Sequence, residues 1–103
     1  MPSAFLDTVV RESLKVPARV WRAAFAGPFE DDFAAELEKI AAPTLILGGD
    51  RDALARRADQ DAFLSSIASS RLVVYHGAGH ALHWEQPERF AAGLASFIEN
   101  QVR

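Results

Sequence analysis

Two short apolar runs, each closed by glycine, govern what this chain can fold into. They are Pro43-Thr44-Leu45-Ile46-Leu47 ahead of Gly48-Gly49, and Leu72-Val73-Val74-Tyr75 ahead of Gly77-Ala78-Gly79. Continuous apolar runs of this length suit strands buried on both faces. Proline is acceptable as the first residue of such a strand. Between them, a polar loop from Asp50 to about Arg57 leads into a helix expected over Ala58 to Ala68, with Phe63, Leu64 and Ile67 facing inward. Strand, helix and strand in this order make a βαβ unit, which requires parallel strands and a right-handed crossover. A last helix opens at Pro87 and carries Phe90, Leu94, Phe97 and Ile98 at helical spacing.

Residues 4–40 have a different period. Phe5, Leu6, Val9, Val10 and Leu14 fall near one helical face. Pro17 breaks that pattern and can start a second helix, because a first turn tolerates proline. The second helix carries Val20, Trp21, Ala24 and Phe25 and is expected to end at Gly27-Pro28. A third helix follows, with Asp31 and Asp32 near its positive N-terminal end and a stripe of Phe33, Leu37 and Ile40. The expected fold class is therefore α/β, with a helical segment 1–42 and a βαβα segment 43–103 meeting near Ala41-Ala42. Internal repeats and low-complexity tracts are absent from the sequence.

Composition excludes several classes. A formal charge of −3, well mixed along the chain, gives no footprint for nucleic acid or an anionic membrane. Without cysteine, no disulfide framework or thiolate metal site can form. No apolar run approaches the ~20 residues that span a bilayer. The first residues lack a basic start followed by a long apolar stretch, so a secretory signal is not expected and the cytoplasm is the default location.

The loops after the two strands hold the residues with chemistry. Groups in an open α/β sheet gather beyond the C-terminal ends of parallel strands. Asp52 and His80 both lie just past such ends. A carboxylate there can hold one imidazole nitrogen, which fixes the tautomer and leaves the other nitrogen to take a proton from a nucleophile. Histidine suits this task because an imidazole ordinarily titrates near neutrality. Asp50 is the rival acid, and otherwise reads as a solvated turn residue.

These stretches, Thr44-Leu-Ile-Leu-Gly-Gly-Asp-Arg-Asp52 and Gly77-Ala-Gly-His-Ala-Leu-His-Trp-Glu-Gln-Pro-Glu-Arg-Phe90, resemble the C-terminal part of an α/β-hydrolase. The resemblance covers about Ala41 to Gln101, and the helical first part more loosely resembles the end of that family's cap domain. It implies Asp52 as the acid and His80 as the general base of a Ser-His-Asp triad acting on an ester-like bond. It also matches His83, Glu85, Pro87 and Phe90 to the tail that leads into the family's last helix. The family's Gly-x-Ser-x-Gly elbow is absent, since none of Ser3, Ser13, Ser65, Ser66, Ser69, Ser70 and Ser96 has that glycine frame. The chain is therefore expected to be the nucleophile-free part of a hydrolase, with Met1 falling inside the cap.

Other readings compete at several positions. Trp21, Phe25, Phe29 and Phe33 recur every four residues; packing between helices is the common use of such aromatics, while in a cap Trp21 and Phe25 would contact substrate. His80, His83 and Glu85 or Asp50 could suggest a metal, but zinc sites usually show a clearer ligand frame. No cofactor or metal is implied, and His76 and His83 read as structural or surface residues. Arg56-Arg57 reads as a solvated loop, and Trp84 as packing over the loop that holds His80. Two parallel strands also leave bare sheet edges. The alternative function is thus a non-catalytic module that pairs through its sheet edge with another copy or with a separate N-terminal half. The expected partner in the catalytic reading is a small-molecule substrate.

Overall fold

The computed structural model describes residues 1–30 and 33–102. They form two compact units, Met1–Ala35 and Glu36–Arg103.

The first unit holds α1 (Ser3–Leu14) and α2 (Ala18–Glu30). Pro17 stands before α2, where its fixed φ and missing N–H are harmless. The Trp21 indole N–H donates back to the Ser13 carbonyl at 3.2 Å, closing the turn between the helices. Trp21 and Phe25 stack one turn apart, with ring centroids 5.9 Å apart. The helix does not stop at Gly27-Pro28 as the sequence suggests, but runs on to Glu30. Proline removes one ladder bond, and here that loss falls in the last turn of the helix.

The expected third helix is a short 3-10 helix, Ala34–Lys39, with Phe33 and Ile40 outside it. Asp31 and Asp32, expected near its start, lie outside the described residues. A 3-10 turn brings i and i+3 into line. Lys39 accordingly meets Glu36 at 2.7 Å.

The second unit has the expected α/β architecture. Its strands β1 (Thr44–Gly49) and β2 (Ser70–Tyr75) pair in parallel, with Thr44 opposite Ser70 and Gly49 opposite Tyr75. Helix α3 (Arg57–Ser66) connects them and packs on both strands. The short helix α4 (Leu82–Glu85) and the long helix α5 (Pro87–Val102) follow. The sequence signals missed α4, because four residues carry no period. The core is small: Tyr75, Ala78 and Leu82 are buried, with Leu47, Val73 and Phe90 against them. The Tyr75 hydroxyl donates to the Arg89 carbonyl at 3.2 Å, and the Arg89 guanidinium lies 3.9 Å over the ring. That joins β2 to α5.

Burial differs from expectation in two places. Ile67 is buried as expected, but Phe63 and Leu64 are exposed. The buried residue of α3 is instead the polar Gln60. In β1 only Gly48 and Gly49 are buried, and Thr44 to Leu47 are half-covered. Among the described residues β2 is the one strand paired with β1. A two-stranded sheet cannot cover such a run fully.

Candidate active site

Each acidic motif residue is placed by backbone geometry at the end of β1. Past Gly49, the Asp50 N–H donates to the Tyr75 carbonyl at 3.1 Å, and the Arg51 N–H to the Ala78 carbonyl at 2.9 Å. The β1 loop is thereby laced to the β2 loop. Gly49 permits this lacing, since a Cβ there would collide with the carbonyl oxygens of Ala78 and Gly79. Gly77 turns the second loop with φ +75°, the left-handed region that glycine enters freely.

The lacing brings Asp52 and His80 together. His80 Nδ1 lies 2.9 Å from Asp52 Oδ2. The other oxygen, Oδ1, accepts the N–H groups of Leu54 and Ala55 at 2.8 and 2.9 Å. One oxygen therefore anchors the carboxylate to its own loop while the other faces the imidazole. The Asp52 side chain is 6% exposed and that of His80 is 60% exposed. A shielded acid and an open imidazole are what proton transfer to an outside group needs.

Burial is the largest influence on Asp52 and pushes its pKa up. The Ala55 N–H, the His80 ring, the Leu54 N–H and the charge interaction with His80 together outweigh it and hold the carboxyl below the ordinary 3.8. A depressed acid contributes stability that is complete above its unfolded value and is lost as pH falls through the folded one. The stability gap between wild type and Asp52→Asn is expected to be present above 3.8 and to shrink as pH falls below it. Urea unfolding midpoints measured between about pH 5 and pH 2 check it; a gap that grows as pH falls below 3.8 contradicts it.

Asp50 serves a different contact. Its Oδ1 accepts the Gly77 N–H at 2.8 Å, and its Oδ2 lies 3.3 Å from His76 Nδ1. Burial pushes its pKa up, and the Gly77 N–H, the His76 ring and the charges of His76 and Arg51 more than reverse that. His83 packs against Trp84 and Phe90, with ring centroids 5.2 and 5.8 Å apart. Trp21 and Phe25 lie in the first unit, Met1–Ala35, and the Asp52–His80 pair in the second. Among the described residues, no three His, Asp or Glu side chains gather as metal ligands.

Two supporting contacts escaped the sequence reading of the site, that of Gln60, which was not singled out, and that of Glu85, which was matched only to the family tail and weighed as a metal ligand. The Gln60 amide donates to the Ala55 carbonyl at 2.9 Å and reaches the Gly49 carbonyl at 3.4 Å, bracing the acid loop. Its signal was present: Gln60, Leu64 and Ile67 share one helical spacing, so a polar residue occupies an apolar stripe. Glu85 accepts the Gly79 N–H through both oxygens, at 3.2 and 3.0 Å. Among the described residues, no helix is long and apolar enough to cross a membrane.

Comparison with known proteins places these features in context. A family model described as "Alpha/beta hydrolase family" matches residues 1–93. The chain is 37% identical over 70 residues to the 2-hydroxy-6-oxononadienedioate/2-hydroxy-6-oxononatrienedioate hydrolase of Klebsiella pneumoniae, covering 65% of this chain and 23% of that protein. It is 35% identical over 72 residues to a non-heme haloperoxidase of Rhodococcus erythropolis, covering 69% of this chain and 26% of the relative. The crystal structure of CarC, a serine hydrolase involved in carbazole degradation, superposes with a TM-score of 0.63 at 29% identity, covering 64% of this chain and 26% of that one. The chain thus spans about a quarter of the length of each of these proteins.

Proposed function

Because the chain belongs to the alpha/beta hydrolase family, we propose that it supplies the acid and the base of a Ser-His-Asp triad for hydrolysis of an ester-like bond in a small organic molecule. The observation that carries this reading is the 2.9 Å contact from His80 Nδ1 to a shielded Asp52 carboxylate. The His80 Nδ1–H donates a hydrogen bond to Asp52, which fixes the tautomer and leaves Nε2 unprotonated and basic. Nε2 takes the proton of a serine hydroxyl as its oxygen attacks the ester carbonyl, and Asp52 stabilises the imidazolium that forms. Collapse of the tetrahedral intermediate breaks the ester C–O bond, and Nε2 returns the proton to the leaving alcohol. A water then repeats the cycle on the acyl-enzyme, releasing the acid and restoring the serine. The serine comes from an elbow outside these residues, since no serine here has the Gly-x-Ser-x-Gly frame. Trp21 and Phe25, stacked and exposed, are the proposed contacts for the apolar part of the substrate.

A second reading has one observation in its favour. The apolar residues of β1 are only half-covered, and among the described residues one edge of the strand has no partner strand. A module that pairs through that edge, with itself or with a separate N-terminal half, would bury it.

One experiment separates the two. The chain is assayed with a p-nitrophenyl ester alone, and after mixing with or fusion to the nucleophile-bearing part of an alpha/beta hydrolase. Alone it is expected to show little or no turnover, because triad members act as a unit. Joined, it is expected to hydrolyse the ester. Robust turnover by the chain alone, abolished by His80→Ala, contradicts the assignment of the nucleophile to another segment. A stable complex on size exclusion without hydrolysis favours the pairing module.

A further inference from the structure

The loop Gly77-Ala78-Gly79 delivers His80, yet it carries almost no side chain of its own to hold it in place. Its backbone is held from outside instead. The Ala78 carbonyl accepts from Arg51 N–H at 2.9 Å. The Gly77 N–H is held by Asp50, on the β1 side, at 2.8 Å. The Gly79 N–H, one residue before the histidine, is held by both oxygens of Glu85, on the α4 side. Gly79 also keeps Glu85 close, since a Cβ there would stand 3.2 Å from Glu85 Oε2. A hydrogen bond to a carboxylate is about twice as strong as one between neutral groups.

We propose that Glu85 is a positioning residue for His80: by holding the Gly79 amide, it fixes the loop from which the imidazole reaches Asp52. The inference rests on the proposed role of His80, but it concerns geometry that exists without a nucleophile. Glu85 touches no reacting atom in this scheme. Its effect passes through one peptide bond to the histidine, and it removes freedom that two glycines would otherwise give the loop. Asp50 restrains the same loop on the other side, so loss of Glu85 frees the histidine end while the β1 end stays held.

The test is nuclear magnetic resonance on the folded chain, with two readouts. Amide exchange at Gly79 reports the Glu85 bond. The ring nitrogens of His80 report whether Nδ1 keeps its proton against Asp52. Glu85 is exposed, and exposed substitutions seldom disturb folding. Glu85→Ala and Glu85→Asp, whose shorter acid falls away from Gly79, are expected to speed Gly79 exchange about tenfold. Both are expected to replace the Nδ1–H form of His80 by the averaged signals of a free imidazole. Glu85→Gln, which keeps an oxygen at the same reach, is expected to restore most of the Nδ1–H form. If the Gly79 amide opens in Glu85→Ala or Glu85→Asp while the His80 nitrogens stay as in wild type, the proposal is overturned. No activity enters this result, so its failure leaves the triad reading to be judged by the ester assay alone.

Discussion

Alanine in place of His80 is expected to lower kcat of the joined, nucleophile-bearing enzyme by about 10⁴-fold or more. The size of the loss follows from what the imidazole does. In the proposed mechanism it takes the serine proton during attack and returns it to the leaving group, so both barriers rise without it. KM changes little, because the proton transfer contributes to the transition state rather than to binding. Asp52→Asn is expected to leave the fold intact and still cost about 10⁴-fold, since an amide that donates toward Nδ1 favours the wrong tautomer. The matching control is Asp50→Asn. Its carboxylate contacts Gly77 and His76 rather than His80, so its loss should be at least a hundredfold milder than that of Asp52→Asn. Steady-state kinetics with a p-nitrophenyl ester measure all three. Equal losses at Asp50 and Asp52 would sink the assignment of the acid.

Gly49→Ala is expected to destabilise the second unit by about 3 kcal/mol. The added Cβ would run into two backbone carbonyls, those of Ala78 and Gly79. Backbone cannot rotate away as a side chain can, so the β1 and β2 loops must part. Parting them breaks the Arg51-to-Ala78 bond and carries His80 off Asp52. The contrast is Gly77→Ala. Nothing lies within 4 Å of a Cβ there, and its penalty is only the positive φ of 75°, worth about 1–2 kcal/mol. Chemical denaturation of both variants decides between them. A Gly49→Ala midpoint equal to that of wild type would show that the loops are not held in contact.

Much of this arrangement was legible in the sequence because it depends on local chemistry. Apolar runs closed by glycine gave both strands within a few residues, and helical spacing gave α5. That an acid of the first loop would share a rim with His80 was legible for the same reason, whereas Asp52 rather than Asp50 followed only from the family resemblance. Parallel neighbouring strands put their following loops on one rim, and the structure has both side chains within hydrogen-bond reach. What escaped depended on which backbone group each polar side chain holds. Nothing in the spacing of Asp50 announces that it holds the Gly77 N–H 27 residues later. Glu85 was matched to the family tail, but it sits on a helix of four residues, too short for its spacing to show that it holds the Gly79 N–H. Gln60 was visible only as a polar residue in an apolar stripe, and a stripe alone does not say that the amide braces Ala55. The helix through Gly27-Pro28 was misjudged because a breaker near a helix end removes a single bond and need not end the helix.

The most direct test of the whole account is a double-mutant cycle on kcat in the joined enzyme, with Asp52→Ala, His80→Ala and the double variant. If Asp52 works only through the imidazole it faces, the double variant is no slower than His80→Ala alone. If the two losses multiply, the carboxylate and the imidazole act independently, and the pair at the end of the two strands is not an acid–base unit.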